Sequence, residues 1–173
     1  MQTAEEFLAS IPSLGHYDID SSNSVGQFRT RHMFGLGPVR GTFAIVSGAV
    51  DLAEPLAESA IWAEIDSASL TTANPQRDAT VRSPRLLNSR QFPAITFRNG
   101  RVQAGGATMS GELTVREVTR PVTLTVRQIA RTGAWLTVTA ITRIDRTEFG
   151  VTAMRGLAGR YLDIALEVRC VRN

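Results

Sequence analysis

Apolar and polar residues alternate along most of this chain. In "FRTRHMFGLGPVRGTF", residues 28–43, Phe28, Thr30, His32 and Phe34 share one side of an extended chain, and Arg29, Arg31 and Met33 share the other. "AIWAEIDSASL" sets Ile61, Ala63 and Ile65 against Trp62, Glu64 and Asp66. "ATMSGELTV" puts Met109, Gly111, Leu113 and Val115 together, and "RPVTLTVRQI" does the same with Val122, Leu124 and Val126. "YLDIALEVRC" sets Leu162, Ile164, Leu166, Val168 and Cys170 against Asp163, Glu167 and Arg169. Period-two alternation marks half-buried antiparallel strands. Asn99-Gly100 inside "AITFRNGRV" carries the hairpin signature, and Thr132-Gly133 marks a second tight turn before "AWLTVTAITRI".

Two segments break the rhythm. "TTANPQRDATVRSPRLLNSRQFP", with Pro75, Pro84 and Pro93, reads as a long connection holding one or two short helical turns. Asp78 is a candidate cap for such a turn and a candidate ion partner of Arg77. "TAEEFLAS", with Thr3 as its cap, reads as a short helix ending before Pro12. The chain thus divides into an N-terminal extension, residues 1–16, and one domain, residues 17–173. About eight or nine strands with few helices predict an all-β antiparallel barrel or sandwich.

Composition narrows the function. Hydrophobic residues make up 43% and charged residues 20%, the balance of a globular domain. The single cysteine, Cys170, excludes an internal disulfide, and its place on an apolar strand face reads as core. No apolar run reaches the roughly 20 residues of a membrane-spanning helix. The first twenty residues lack a basic start and a long apolar stretch, so with Met1 as the start a cytoplasmic location is expected. The net charge is +3 and every basic side chain is arginine. Those arginines are scattered, and aromatics are only 6%, which argues against a stacking platform for nucleic acid.

Catalytic signatures are missing. With two histidines and one cysteine, the chain shows no HExxH, CxxC or GxSxG, and "GLGPVRG" and "GGATMSG" match neither a P-loop nor a dinucleotide fingerprint. No metal site and no cofactor are expected.

Four stretches together resemble the YceI-like family of lipocalin-resembling, isoprenoid-binding proteins. They are "YDIDSSNSVGQFRTRHMFGLGPVRGTF", "SASLTTANPQRDATVRSPRLLNSRQFPAITF", "GELTVREVTRPVTLTV" and "RIDRTEFGV", in the family's order. The shared marks are Tyr-x-Ile-Asp, an Arg-His strand, a Gly-x-Phe hairpin, Thr-x-x-x-x-Arg-Asp and Arg-x-x-Phe-Gly. Two positions depart: Ala79, Thr80 and Val81 stand where the family has a His-Leu pair, and Glu117 stands where it often has Gly. The first departure bears on the polar head of a ligand rather than its tail.

The resemblance implies a lipocalin-like barrel of about eight strands around an elongated apolar pocket for a polyprenyl or other long acyl chain. Inward candidates are Phe28, His32, Phe34, Phe43, Ile45, Ile65, Phe97, Leu124, Trp135 and Ile164, with His32, Arg77 and Asp78 as polar groups near an opening. A satisfied core histidine is the competing reading of His32. The expected role is non-catalytic binding, storage or transport of a lipid, without nucleic acid or stable membrane insertion, and with a homodimer possible. The alternatives are an enzyme or accessory factor acting on a prenyl or acyl lipid, and a basic module for an anionic partner.

Overall fold

The computed structural model describes residues 14–31, the backbone of His32, and residues 37–103 and 107–173. The helix expected at residues 3–10 lies outside these. Nine strands and one helix follow in order: β1 (Gly15–Ile19), β2 (Val25–His32), β3 (Gly37–Leu52), β4 (Ala60–Asp66), α1 (Pro75–Arg82), β5 (Ala94–Val102), β6 (Thr108–Val115), β7 (Val118–Thr132), β8 (Trp135–Asp145) and β9 (Tyr161–Arg172). Neighbouring strands are antiparallel, from β3 through β2, β9, β8, β7, β6 and β5 to β4, and β4 pairs back onto β3. Eight strands therefore close a barrel, with β3 and β4 joined from Ile45↔Ile65 to Asp51↔Ala60. The short β1 extends the stave begun by β2, pairing with the far ends of β3 and β9. Between β1 and β2, Asp20 caps a single 3₁₀ turn by accepting from the Ser22 amide at 3.0 Å.

Each strand points one set of side chains inward, as the alternation requires. Three bulges change that set midway. They fall between Ile45 and Ser47 in β3, between Arg98 and Arg101 in β5, and between Val126 and Gln128 in β7. One extra residue reverses the facing parity. Thus Ile45 and Val50, Phe97 and Val102, and Val126 and Ile129 all reach the interior.

The β5 bulge corrects a sequence expectation. Asn99-Gly100 does not turn the chain; β5 runs straight through it. Asn99 takes φ 54°, the left-handed conformation that Asn tolerates, and absorbs the extra residue. Gly100 lies under the Phe97 ring, where an added Cβ would come within 2.6 Å. The turn at Gly133, with φ 60°, does form, pairing Thr132 with Trp135.

The crossover from β4 to β5 carries α1 over one end of the barrel. Asn74, rather than Asp78, is its N-cap, accepting from the Arg77 amide at 3.0 Å, and Pro75 takes the first helical position. At this end Leu86, Ile95, Val115, Ile144, Phe149 and Val151 form a packed cluster. At the opposite end Tyr17, Val50, Leu52, Leu136 and Cys170 pack together, and Tyr17 and Cys170 are fully buried.

Candidate functional site

Between the two end clusters runs a cavity of about 450 Å³. That lies within the roughly 300–1,000 Å³ of small-molecule pockets. Its wall comes from the inner faces of the eight barrel strands, with α1 and the segment 151–159 over one end. Inward residues such as Ile61, Ala63, Ile65, Leu113, Leu162, Ile164 and Leu166 are only half-buried, because they face the cavity instead of one another.

The few polar side chains on the wall are turned to the protein. Thr30 donates its hydroxyl to the Tyr161 carbonyl at 2.8 Å, and Thr142 donates to the Thr123 carbonyl at 2.8 Å. Thr80 donates to the Gln76 carbonyl at 3.2 Å, within its own helix. These hydroxyls are engaged, so the lumen meets carbon almost throughout.

Phenylalanines set the width of the bore. Phe28 pairs with Gly41 across β2 and β3, and Phe43 pairs with Gly26. An added Cβ on Gly26 would sit 2.0 Å from the Phe43 ring, and one on Gly41 2.4 Å from the Phe28 ring. Phe97 is placed in the same way against Gly100 and Gly111. Each ring thus lies flat along the wall, where any other residue would push it inward.

Of the residues expected inward, Phe28, Phe43, Ile45, Ile65, Phe97, Leu124, Ile164 and Arg77 line this cavity. Phe34 and the His32 side chain lie outside the described residues. Trp135 is a correction. Leu136, Val138, Ala140, Thr142 and Ile144 are the inward set of β8, so parity turns Trp135 outward, where the Arg169 guanidinium stacks 4.9 Å from its ring.

Asp78 is the second correction. It is 4% exposed and turned away from the cavity, toward the strand-to-helix loop. Its carboxylate accepts from the Thr71 hydroxyl at 2.9 Å, the Thr72 amide at 2.9 Å and the Thr72 hydroxyl at 2.6 Å. Burial pushes its pKa up, but the Thr72 and Thr71 hydrogen bonds and the nearby Arg82 charge together hold it below the ordinary 3.8. No Arg77–Asp78 ion pair forms. Arg77 instead donates from Nε to the Thr72 hydroxyl oxygen at 2.8 Å. Thr72 therefore joins the two members of Thr-x-x-x-x-Arg-Asp, anchoring the start of α1 and holding Arg77 at the cavity wall.

Arg146 was not foreseen. Its guanidinium donates to four backbone carbonyls: Gly159 at 2.7 Å, Val151 at 2.7 Å, Ala153 at 2.8 Å and Ala158 at 3.1 Å. It thereby shapes segment 151–159 into a flap whose Met154, Leu157, Ala158 and Gly159 line the cavity. Gly159 presses on β2 so closely that a Cβ would fall 1.9 Å from the Thr30 hydroxyl oxygen. Leu157 is 51% exposed and also lines the cavity, so the cavity meets solvent beside it. The motif Arg-x-x-Phe-Gly named this arginine, but its carbonyl partners come together only in the fold.

Cys170 sits in the opposite wall. Burial pushes its thiol up to about 12. Among the described residues, no group of three or more His, Cys, Asp or Glu side chains is placed to hold a metal ion. A second depression crosses the outer wall past Arg29, Arg40, Arg143, Asp163 and Thr123.

The fold has relatives. A solved structure of BcnA from Burkholderia cenocepacia superposes with a TM-score of 0.72 at 21% identity, over 87% of this chain and 98% of that one. A polyisoprenoid-binding domain from Saccharophagus degradans, implicated in plant cell wall breakdown, superposes at 0.67 with 14% identity, over 93% of this chain and all of that one. By sequence, a UPF0312 protein of Enterobacter sp. (strain 638) is 29% identical over 165 residues, covering 90% of this chain and 85% of that protein. The YceI protein of Escherichia coli O157:H7 is 27% identical with the same coverage. The model of the YceI-like domain matches residues 17–170. With that match over nearly the whole barrel, and the same fold in its structural neighbours, the chain belongs to the YceI-like family.

Proposed function

We propose that the barrel is a non-catalytic carrier that takes one long-chain isoprenoid, or a closely related lipid, into its lumen. The observation that carries this reading is the cavity of about 450 Å³ with a wall of carbon and polar side chains turned away. Such a wall offers a ligand little besides the hydrophobic effect, worth about 0.8 kcal/mol for each buried methylene. A flexible apolar chain gains most from it, after part of the gain is lost to ordering the tail. The polyisoprenoid-binding neighbour supports the same ligand class. The head group belongs at the α1 end, where Arg77 reaches the wall and β2 ends at His32.

The test is mass spectrometry of an organic extract of freshly purified protein, beside the native mass of the intact barrel. A prenyl or acyl species at one per barrel is expected. An empty barrel that also fails to take up added polyprenol removes the proposal. His32→Phe then assigns the histidine: weaker retention of the ligand places it at the head group, and unchanged retention makes it structural.

A further inference from the structure

The charge of the molecule is distributed unevenly along the barrel axis. The half that carries α1 and the flap holds thirteen arginines and eight carboxylates among the described residues; the other half holds six arginines and six carboxylates. The sequence hides this, because the thirteen are scattered over β2, β3, α1, β7, β8 and the loops at one end.

On the outer wall of that half the arginines fall into register. Arg40 pairs with Arg29, Arg29 with Asp163, and Asp163 with Arg143. Asp163 is taken by Arg143, through bonds of 2.8 and 3.3 Å. Arg29 and Arg40 are exposed and directly opposite each other, an arrangement that repels unless an anion lies between. At the same end the flap presents the exposed Arg155 and the half-exposed Leu157, which lines the cavity, while Arg160 after it is held by Asp145 at 2.8 Å. Basic side chains around an exposed apolar tip make the pattern of a surface that meets anionic lipid.

We propose that this face docks the barrel onto an anionic membrane surface, with Leu157 entering the headgroup layer and Arg29 and Arg40 sharing lipid phosphates. The proposal rests on the carrier reading, since a chain that hides in such a lumen resides in a bilayer before it is bound. Docking there brings the mouth to the place where the ligand is held.

The experiment is sedimentation of the full chain with vesicles of phosphatidylcholine, alone or with about a quarter phosphatidylglycerol. Binding to the anionic vesicles only is expected, weakening from about 0.01 M to about 1 M salt as the screening length shrinks from about 30 to about 3 Å. Arg29→Gln with Arg40→Gln removes the opposed pair without unpairing a carboxylate, and should weaken binding roughly twenty- to thirty-fold, about five-fold for each arginine. Leu157→Ser should weaken it further, equally at low and high salt. No binding to anionic vesicles at low salt overturns the proposal, as does equal binding to neutral ones. A double variant that binds like the parent overturns it too. A Leu157→Ser variant that binds like the parent reduces the face to a general polyanion patch and overturns the lipid assignment. Mass spectrometry of the lumen separates this from the carrier reading: a barrel that docks but takes up no polyprenol keeps the face and loses the carrier.

Discussion

Single side chains on this barrel have roles set by what they touch. His16 on β1 lies between two carboxylates, with Nδ1 2.5 Å from Asp51 and Nε2 2.9 Å from Asp18. Asp51 first, and then Asp18, raises its pKa above the ordinary 6.5. Below 6.5 the ring is protonated in both the folded and the unfolded chain, and its contribution to stability is full. That contribution is lost as pH rises through the higher folded value. The urea midpoint of the parent, relative to His16→Gln, should therefore be higher at about pH 5 than at about pH 9; an equal difference at both would show that the ion pairs contribute nothing. Cys170 makes an opposite kind of statement. With its thiol pushed up to about 12 and no exposed surface, it should react with a thiol reagent only as fast as the barrel unfolds. Labelling within seconds in native buffer would contradict the packed end cluster.

At the scale of elements, regular strands were legible and irregular ones were not. Period-two alternation placed the inward sets of β4, β6 and β9 correctly. It failed wherever the backbone steps out of period: Asn99-Gly100 has the residues of a hairpin turn, yet here a left-handed Asn makes a bulge and the strand continues. Trp135 is an inward candidate by sequence, but its partner on the outer face, Arg169, is thirty-four residues away in the chain and shows only in the fold. The flap was likewise hidden, because four carbonyls scattered along nine residues say nothing until one guanidinium gathers them. Arg146→Met keeps the length of the side chain and removes those bonds. It should cost about 2–3 kcal/mol, as charged hydrogen bonds do, a fall in Tm of roughly 4–12 °C for a chain of this size. Amide exchange confined to residues 151–159 should rise at the same time. A rise spread over the whole barrel would mean that Arg146 supports the fold and not the flap.

For the whole molecule, the closed barrel and its apolar lumen could be expected from composition, alternation and family marks together. The concentration of arginines at one end could not, since it depends on which strand ends point the same way. A hollow interior also has a thermodynamic signature. A ligand that binds only the folded barrel stabilises it by mass action, about 2.7 kcal/mol at a hundred times its Kd. Tm should accordingly rise by roughly 5–11 °C on saturation with polyprenol, and a short-chain alcohol of the same head group should give a much smaller shift. The glycine-backed rings have a further consequence. Gly26, Gly41 and Gly111 already carry the smallest residue possible, so every substitution there can only crowd Phe43, Phe28 or Phe97 toward the axis. Mutation at these positions therefore runs in one direction, toward slimmer cargo. Branched prenyl units should be rejected before straight acyl chains, and bulkier guests can be admitted only by trimming the phenylalanines themselves.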